Sequence, residues 1–211
     1  MIFRLDERIL FPDAHLAEPD GLLALGGDLS TSRLLLAYQS GIFPWYSDDT
    51  PILWYSPHER CVIYPQELRI SKSMRQILRS NIFTVTTDKC FDRVITACSA
   101  VERKEQDGTW ITDDMQAAYI QLHEQGHAHS IEVWHHNELV GGLYGIAIGN
   151  VFCGESMFSL MSNASKMALI YLCQSGYRLI DCQMHSEHLQ SMGARMITRE
   201  EYMAELQKSV A

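Results

Sequence analysis

The chain has 211 residues, enough for one large domain or for a large domain with a small one. Hydrophobic residues make up 46% of it and charged residues 20%, which is typical of a globular protein and excludes a disordered, collagen-like or disulfide-stapled chain. Lys and Arg number 17 against 26 Asp and Glu, a net charge of −9. No global positive field therefore attracts nucleic acid, and an RNA partner needs a local cationic patch.

The cysteine pattern and the N-terminal sequence indicate the compartment. None of the six cysteines forms a Cys-x-x-Cys pair, and the N-terminal residues lack the apolar stretch of a signal peptide. No apolar run reaches the roughly 20 residues that cross a bilayer. We therefore expect reduced thiols in a soluble, cytoplasmic protein that makes no membrane contact.

The first sixty residues are rich in turn formers. They contain five of the six prolines and two of the four tryptophans, which predicts short elements joined by ordered loops. One helix is predicted here, with Ser30 or Thr31 as its N-cap and Gly41 as its C-terminal stop. We expect residues 1–60 to form a small N-terminal domain.

Helical and strand patterns alternate from Cys61 onward. This alternation predicts an α/β or α+β domain over residues 61–211. The predicted elements, in chain order, are helix 69–79, helix 113–125, strand 129–134, strand 139–148, strand 151–155, helix 163–174 and strand 178–183.

The predicted helix at residues 69–79 reverses the charge of the chain locally. It carries four cations and no acid, namely Arg69, Lys72, Arg75 and Arg79. Such a face suits contacts with phosphates that do not depend on base sequence. The alternative is an ordinary solvated helix face.

The tripeptide Asp181-Cys182-Gln183 follows the apolar Leu179 and Ile180. Side chains two positions apart in a strand share a face, so Asp181 and Gln183 are predicted to point the same way. A carboxylate beside an amide fixes the orientation of the amide and leaves a defined acceptor oxygen. The alternative is an Asp that caps the next turn and a Gln at the surface.

A second candidate segment surrounds Glu155. A glycine followed by a carboxylate, between aromatic residues and a methionine, suggests a lined pocket with one anionic contact. The alternative is a strand that leads into a helix, with Glu155 solvated. Loop tryptophans such as Trp45 and Trp110 are candidates for stacking on a nucleobase, although packing between domains explains them equally well.

The nine histidines raise the question of a metal site. His127 and His129 would share a strand face, and His185 and His188 a helical turn, but neither pair lies in a His-Glu-x-x-His frame or beside paired cysteines. We therefore expect no bound metal. The sequence also has no P-loop, no dinucleotide fingerprint and no Gly-x-Ser-x-Gly turn.

Taken together, nine segments in order along the chain closely resemble the bacterial leucyl/phenylalanyl-tRNA–protein transferase family. They are Gly21–Ser30, Gly41–Ser47, Pro51–Pro57, Gly108–Thr112, Ala128–Trp134, Leu139–Gly149, Val151–Ser159, Asn163–Lys166 and Leu179–Gln183. The likeness runs from about Leu16 to Tyr202. Some family members continue past the region of Tyr202, whereas this chain stops at Ala211.

The resemblance implies a small N-terminal domain and a C-terminal acyltransferase domain of the GNAT fold with a mixed central sheet. It implies an enzyme that moves leucine or phenylalanine, and less readily methionine, from its tRNA onto a protein whose N-terminal residue is Arg or Lys. The tagged protein then enters the N-degron proteolysis pathway. We expect a monomer that needs no cofactor.

The resemblance also assigns roles to individual residues. Asp181, Gln183 and Glu155 match active-site positions, and the basic helix that is associated with tRNA binding matches Lys72, Arg75 and Arg79. The positions that match the aminoacyl pocket and the terminal adenosine site are Leu143, Phe152, Gly154, Met157, Ile180, Trp45 and Trp110.

Chemical reasoning refines these roles. We expect Asp181 to orient the amide of Gln183, whose oxygen accepts a hydrogen bond from the attacking amine. Glu155 is expected to recognise the cationic acceptor or, alternatively, the tRNA ribose. Two other functions stay open: a small-molecule acetyltransferase, although the pyrophosphate-binding Gly-rich turn is missing, and a non-catalytic tRNA-binding adaptor.

Overall fold

The computed structural model describes residues 2–101 and 111–210, which form two β-sheets with helices packed against them. The strands are β1 (Phe3–Leu5), β2 (Leu22–Gly26), β3 (Phe43–Pro44), β4 (Leu53–Tyr55), β5 (Glu59–Ile63), β6 (Thr84–Thr87), β7 (Ala128–His135), β8 (Glu138–Ile148), β9 (Val151–Ser159), β10 (Leu179–Gln183) and β11 (Arg195–Thr198). The α-helices are α1 (Thr31–Gln39), α2 (Lys72–Ser80), α3 (Phe91–Ser99), α4 (Asp113–Glu124), α5 (Ala164–Cys173), α6 (Glu187–Ser191) and α7 (Arg199–Val210).

The N-terminal residues form a four-stranded sheet in the order β1-β2-β4-β3. Trp54 in β4 anchors this sheet, because its side chain is fully buried and its indole Nε1 donates a hydrogen bond of 2.8 Å to the carbonyl of Gly26. The ring of Phe11 meets the Trp54 indole edge-on at 4.9 Å. One aromatic core residue thus joins the loop around residue 11 to the strands.

The second sheet has seven strands in the order β11-β5-β10-β9-β8-β7-β6. Its neighbouring strands are antiparallel except β9 and β10, which run parallel from the pair Leu179 and Val151 to the pair Asp181 and Cys153. Beyond that pair β9 continues beside β8, and β10 continues beside β5. The sheet therefore opens between β9 and β10. This mixed sheet confirms the predicted α/β class.

Two apolar clusters cover the two faces of the larger sheet. One contains buried residues of α3, α4 and α7 together with N-terminal residues such as Leu34 and Tyr38 of α1. The other contains buried residues of α5, with Met74 of α2 packed against the same face. N-terminal side chains and residues of the large sheet thus share one apolar cluster. Within this cluster, α1 contacts α4.

Seven of the predicted elements match observed helices and strands closely. The predictions of helices that became α1, α2, α4 and α5 and of strands that became β7, β8 and β10 are confirmed within three residues at each end. Strand β9 is longer than predicted and ends at Ser159, because residues 156–159 pair with β8. His136 and Asn137 form the turn between β7 and β8, and both residues have a positive φ.

Each of the six cysteines is a free thiol. In residues 2–101 and 111–210, no helix is long and apolar enough to cross a membrane. The same described residues contain no group of three or more His, Cys, Asp or Glu side chains that could hold a metal ion.

Candidate active site

A mostly apolar cavity of about 220 Å³ lies where β9 and β10 separate. Its apolar lining includes Leu143, Met157, Leu169, Leu172 and Ile180, and the carboxyl residues Glu155 and Asp181 border it. A cavity of about 150 Å³ is large enough to hold a benzene ring. This cavity can therefore accept one leucine or phenylalanine side chain.

Four of the five residues predicted for an apolar pocket line this cavity: Leu143, Gly154, Met157 and Ile180. Phe152 does not. Its ring is buried in the core, 5.1 Å from the ring of Tyr177 and against Gly145. Phe152 belongs to the same buried cluster as the cavity residues Leu143 and Ile180, so its place in the pocket stays a prediction.

Glu155 is the centre of a buried hydrogen-bond network. Its Oε1 accepts a bond of 2.8 Å from the amide Nε2 of Gln183, and its Oε2 accepts one of 3.1 Å from the hydroxyl of Tyr119. The hydroxyl of Tyr38 is in close contact with that of Tyr119. Tyr38 comes from α1 and Tyr119 from α4, so the network joins the N-terminal part to the large sheet.

Burial raises the pKa of Glu155 from 4.5 to about 7. Hydrogen bonds from Tyr38 and Tyr119 act in the opposite direction, whereas the nearby charge of Asp181 raises the pKa further. Glu155 as a whole residue is only 8% exposed, and each of its carboxyl oxygens already accepts a hydrogen bond from the protein. The expected contact between Glu155 and a cationic acceptor therefore has little support in the geometry.

Asp181 fixes the backbone of Gln183. Its Oδ1 accepts a hydrogen bond of 2.8 Å from the backbone N–H of Gln183, and its side chain is 1% exposed. Gln183 has a φ of +58°, and the pairing of β10 with β5 shifts register between residues 181 and 183. A non-glycine residue in this left-handed region needs local support, which the Asp181 carboxylate provides.

Asp181 and Glu155 hold different parts of Gln183. Asp181 contacts the backbone N–H of Gln183, and the partner of the side-chain amide is Glu155, 28 residues earlier in the chain. The rule that residues two apart share a strand face fails here, because the bulge and the positive φ turn Gln183 away from regular alternation. Since Nε2 is held by Glu155, the amide oxygen of Gln183 keeps its acceptor capacity for a ligand.

Arg60 of β5 supports Asp181 from the opposite side. Its Nη2 lies 3.6 Å from Asp181 Oδ2 and donates a hydrogen bond of 3.1 Å to the carbonyl of Gly41. The guanidinium carbon lies 4.7 Å from the ring centre of Phe43 and 4.6 Å from that of Tyr202. Arg60 is thus clamped between aromatic rings and is 3% exposed.

Sequence reasoning missed Arg60, Tyr38 and Tyr119. One feature of the sequence could have identified Arg60: it directly precedes the apolar run Cys61-Val62-Ile63, and a cation next to a buried strand is a candidate for a buried charge. The two tyrosines lie on the apolar faces of their helices, where core packing is the ordinary interpretation. No pattern in the sequence could have paired them with Glu155.

The predicted residues Trp45, Lys72, Arg75 and Arg79 do not line the cavity. Trp45 is half-buried and meets the ring of Tyr55 edge-on at 5.6 Å. Trp110 lies outside the described residues. Lys72, Arg75 and Arg79 are exposed on α2, whose apolar side buries Met74. Among the described residues, none of these three cations makes an ion pair.

Comparisons with known proteins agree along nearly the whole chain. The family model described as leucyl/phenylalanyl-tRNA protein transferase matches residues 62–207, and the model of its N-terminal domain matches residues 27–58. A leucyl/phenylalanyl-tRNA–protein transferase of Syntrophobacter fumaroxidans is 54% identical over 213 aligned residues, which cover 99% of this chain and 91% of the relative. The corresponding protein of Flavobacterium johnsoniae is 52% identical and covers 96% of this chain and 98% of its own.

Similarity to solved structures is distant. A GCN5-related N-acetyltransferase from Kribbella flavida matches with a TM-score of 0.39 and 9% identity, over 75% of this chain and 57% of that chain. A likeness at this level indicates nothing about function.

The family matches define the class of the protein as an aminoacyltransferase. The chain belongs to the leucyl/phenylalanyl-tRNA protein transferase family, since the family model covers more than half of it and relatives match over its full length.

Proposed function

We propose that this protein transfers leucine or phenylalanine, and less readily methionine, from aminoacyl-tRNA to the N-terminal Arg or Lys of acceptor proteins. In a cytoplasm with an N-degron pathway, the new N-terminal residue marks the acceptor for proteolysis. One observation carries the proposal: the amide of Gln183 is fixed by Glu155 beside an apolar cavity that fits one such side chain.

The donor ester is already activated, so the enzyme has to position the reactants and stabilise charge at the carbonyl. The acceptor α-amino group attacks the ester carbonyl, a C–N bond forms, and the C–O bond to the terminal ribose breaks. An α-amino group has a reference pKa of about 7.7–8.0, so a useful fraction of it is neutral near pH 7. No strong base is required for the attack.

Gln183 aligns the nucleophile in this mechanism. Its amide oxygen accepts a hydrogen bond from the attacking amine and directs the nitrogen lone pair at the carbonyl. Asp181 holds the backbone at residue 183, and Glu155 holds the side chain, so the amide cannot rotate away. The proton of the amine passes to the leaving ribose oxygen, which needs one to become a hydroxyl group.

The cavity selects the donor side chain by shape. Leucine, phenylalanine and methionine are unbranched at Cβ, whereas the extra Cβ substituent of isoleucine and valine would clash with the wall of the cavity. The wall is tight at Gly154, where an added Cβ would lie 3.2 Å from the carbonyl oxygen of Asp181. Pockets of this kind discriminate by about 1–3 kcal/mol for each methylene difference.

A transfer assay tests the proposal against its alternatives. Radiolabelled leucyl-tRNA is mixed with the protein and a peptide that begins with Arg, and with an otherwise identical peptide that begins with acetylated Arg as control. We expect label in the free-amine peptide alone. Retention of leucyl-tRNA without transfer would instead support an adaptor, and turnover of acetyl-CoA would support a small-molecule acetyltransferase.

The roles of the site residues are tested by Gln183→Ala and Asp181→Asn. Loss of the aligning acceptor should lower kcat by about 10²–10³-fold with little change in KM for the donor. Gln174→Ala, which removes an exposed glutamine on the far end of α5, is the matched control and should keep the wild-type rate. Near-normal kcat in both site variants would exclude the proposed roles.

A further inference from the structure

A second depression, of about 880 Å³, lies at the β6 edge of the large sheet. We call it the edge groove. It is formed by the end of α2, strand β6, the start of α3 and the β7–β8 turn, and its main side chains are Asn81, Thr86, Lys89, Arg93, Trp134 and His136. Three strand spacings separate β6 from β9, about 14 Å, so the edge groove is distinct from the cavity beside Glu155.

The edge groove is cationic in a chain whose net charge is −9. Lys89 and Arg93 are exposed, and both belong to its lining. Its lining includes no Asp or Glu, and among the described residues neither Lys89 nor Arg93 makes an ion pair. Both cations are therefore available to an external anion.

An aromatic ring is fixed beside Arg93. The indole Nε1 of Trp134 donates a hydrogen bond of 2.8 Å to Thr86 Oγ1, which holds the half-buried ring in place. The guanidinium carbon of Arg93 lies 5.4 Å from the centre of that ring. A guanidinium over an indole forms a stacked platform whose N–H groups still point outward, an arrangement that suits a base and its phosphate together.

The edge groove continues the basic face of α2. Lys72, Arg75 and Arg79 lie at positions i, i+3 and i+7, which places them along one side of the helix over about 10 Å. The helix ends at Ser80, and Ser80 and Asn81 form part of the groove lining. The helix that carries the exposed cations therefore ends at the groove that contains Lys89 and Arg93.

We propose that the edge groove binds the body of the aminoacyl-tRNA. Lys89 and Arg93 contact phosphates of its backbone, and the Trp134–Arg93 platform stacks on a base, while the acylated terminus reaches the cavity beside Glu155. This inference rests on the proposed function, because it assumes a tRNA donor. An acidic protein segment would also pair with the cations, but it would gain little from the aromatic platform.

The test compares a double variant, Lys89→Gln with Arg93→Gln, with a matched control, Arg4→Gln with Lys208→Gln. The control removes the same two charges from exposed positions on β1 and α7, outside the groove. Binding of deacylated tRNA is measured by fluorescence anisotropy at several salt concentrations. Transfer is measured with leucyl-tRNA and with phenylalanyl-adenosine, a minimal donor too short to reach the groove.

We expect the double variant to raise Kd for tRNA and KM for leucyl-tRNA about tenfold relative to the control. The slope of log Kd against log salt should become shallower by about 2, one for each lost phosphate contact. Kinetics with phenylalanyl-adenosine should stay unchanged. If wild-type protein transfers from neither donor, the proposed function fails, while the anisotropy series still decides whether the groove binds tRNA.

Two results would overturn the inference. Equal tRNA affinity and salt dependence in the double variant and the control would show that the groove does not contact tRNA. A raised KM for the acceptor protein, with unchanged tRNA binding, would assign the groove to an acidic protein segment instead.

Discussion

Replacing Glu155 by Gln tests whether the site holds a carboxyl whose ionisation opposes folding. Burial raises its pKa to about 7, against 4.5 for the unfolded chain. Between these pH values the folded protein binds more protons than the unfolded chain, so the free energy of unfolding falls as pH rises through this window. One pKa unit corresponds to about 1.36 kcal/mol, which gives a total loss of about 3 kcal/mol above pH 7.

The amide in Glu155→Gln has almost the same shape and does not titrate. It keeps an oxygen that can accept from the Gln183 amide. We therefore expect the variant to match wild-type stability at pH 4.5 and to exceed it by about 3 kcal/mol at pH 8. Transfer activity at pH 8 should fall at the same time, because a neutral amide oxygen accepts the hydrogen bond from Gln183 Nε2 more weakly than a carboxylate oxygen does.

Urea unfolding of both proteins at pH 4.5, 6, 7 and 8 measures the difference in their free energies of unfolding. The contributions of the other titrating groups are common to both proteins and cancel in this difference. Glu138→Gln, which neutralises an exposed carboxyl at the start of β8, is the matched control and should show no such trend. A stability difference that stays constant with pH, or a wild type that is more stable than the variant at pH 8, would refute the reasoning.

Three further predictions concern the residues around the site. Arg60→Met leaves Asp181 buried without its cation and should lower the free energy of unfolding, measured in urea, by about 3–5 kcal/mol. A loss below about 1 kcal/mol would show that Arg60 does not stabilise the buried Asp181 carboxylate. Tyr119→Phe removes a hydrogen bond that lowers the pKa of Glu155, so the acid limb of the kcat–pH profile should move to higher pH. An acid limb at the wild-type pH would show that the ionisation of Glu155 does not control the rate. Leu172→Phe narrows the cavity and should reduce kcat/KM for phenylalanyl-tRNA about tenfold more than for leucyl-tRNA; equal losses would place the side chain elsewhere.

Much of the fold could be predicted because strong local signals agree with the tertiary structure. Helix α4 begins after Thr112, whose hydroxyl caps it, and α5 is apolar around most of its surface. The sequence does not predict helix α7, because the well-buried apolar side chains among those described in it are Tyr202 and Leu206, on an otherwise polar segment. Its position depends on packing against strands that come much earlier in the chain.

The sequence predicts which residues form the site but not how they contact one another. Glu155, Asp181 and Gln183 were identified from their segments, and the structure brings them together. Which carboxylate holds the amide could not be predicted, since the bulge after Asp181 changes the direction of Gln183. Contacts from Arg60 and from the two tyrosines join distant segments, and a single sequence carries no signal for such pairs.

A crystal structure with a non-hydrolysable phenylalanyl-adenosine amide tests the central claim most directly. We predict that the phenyl ring occupies the cavity between Leu143, Met157 and Leu172. The acyl carbonyl carbon should lie within about 4 Å of the Gln183 amide oxygen, with room for an amine between them. A ligand bound elsewhere, or a phenyl ring outside the cavity with Gln183 released from Glu155, would contradict the account.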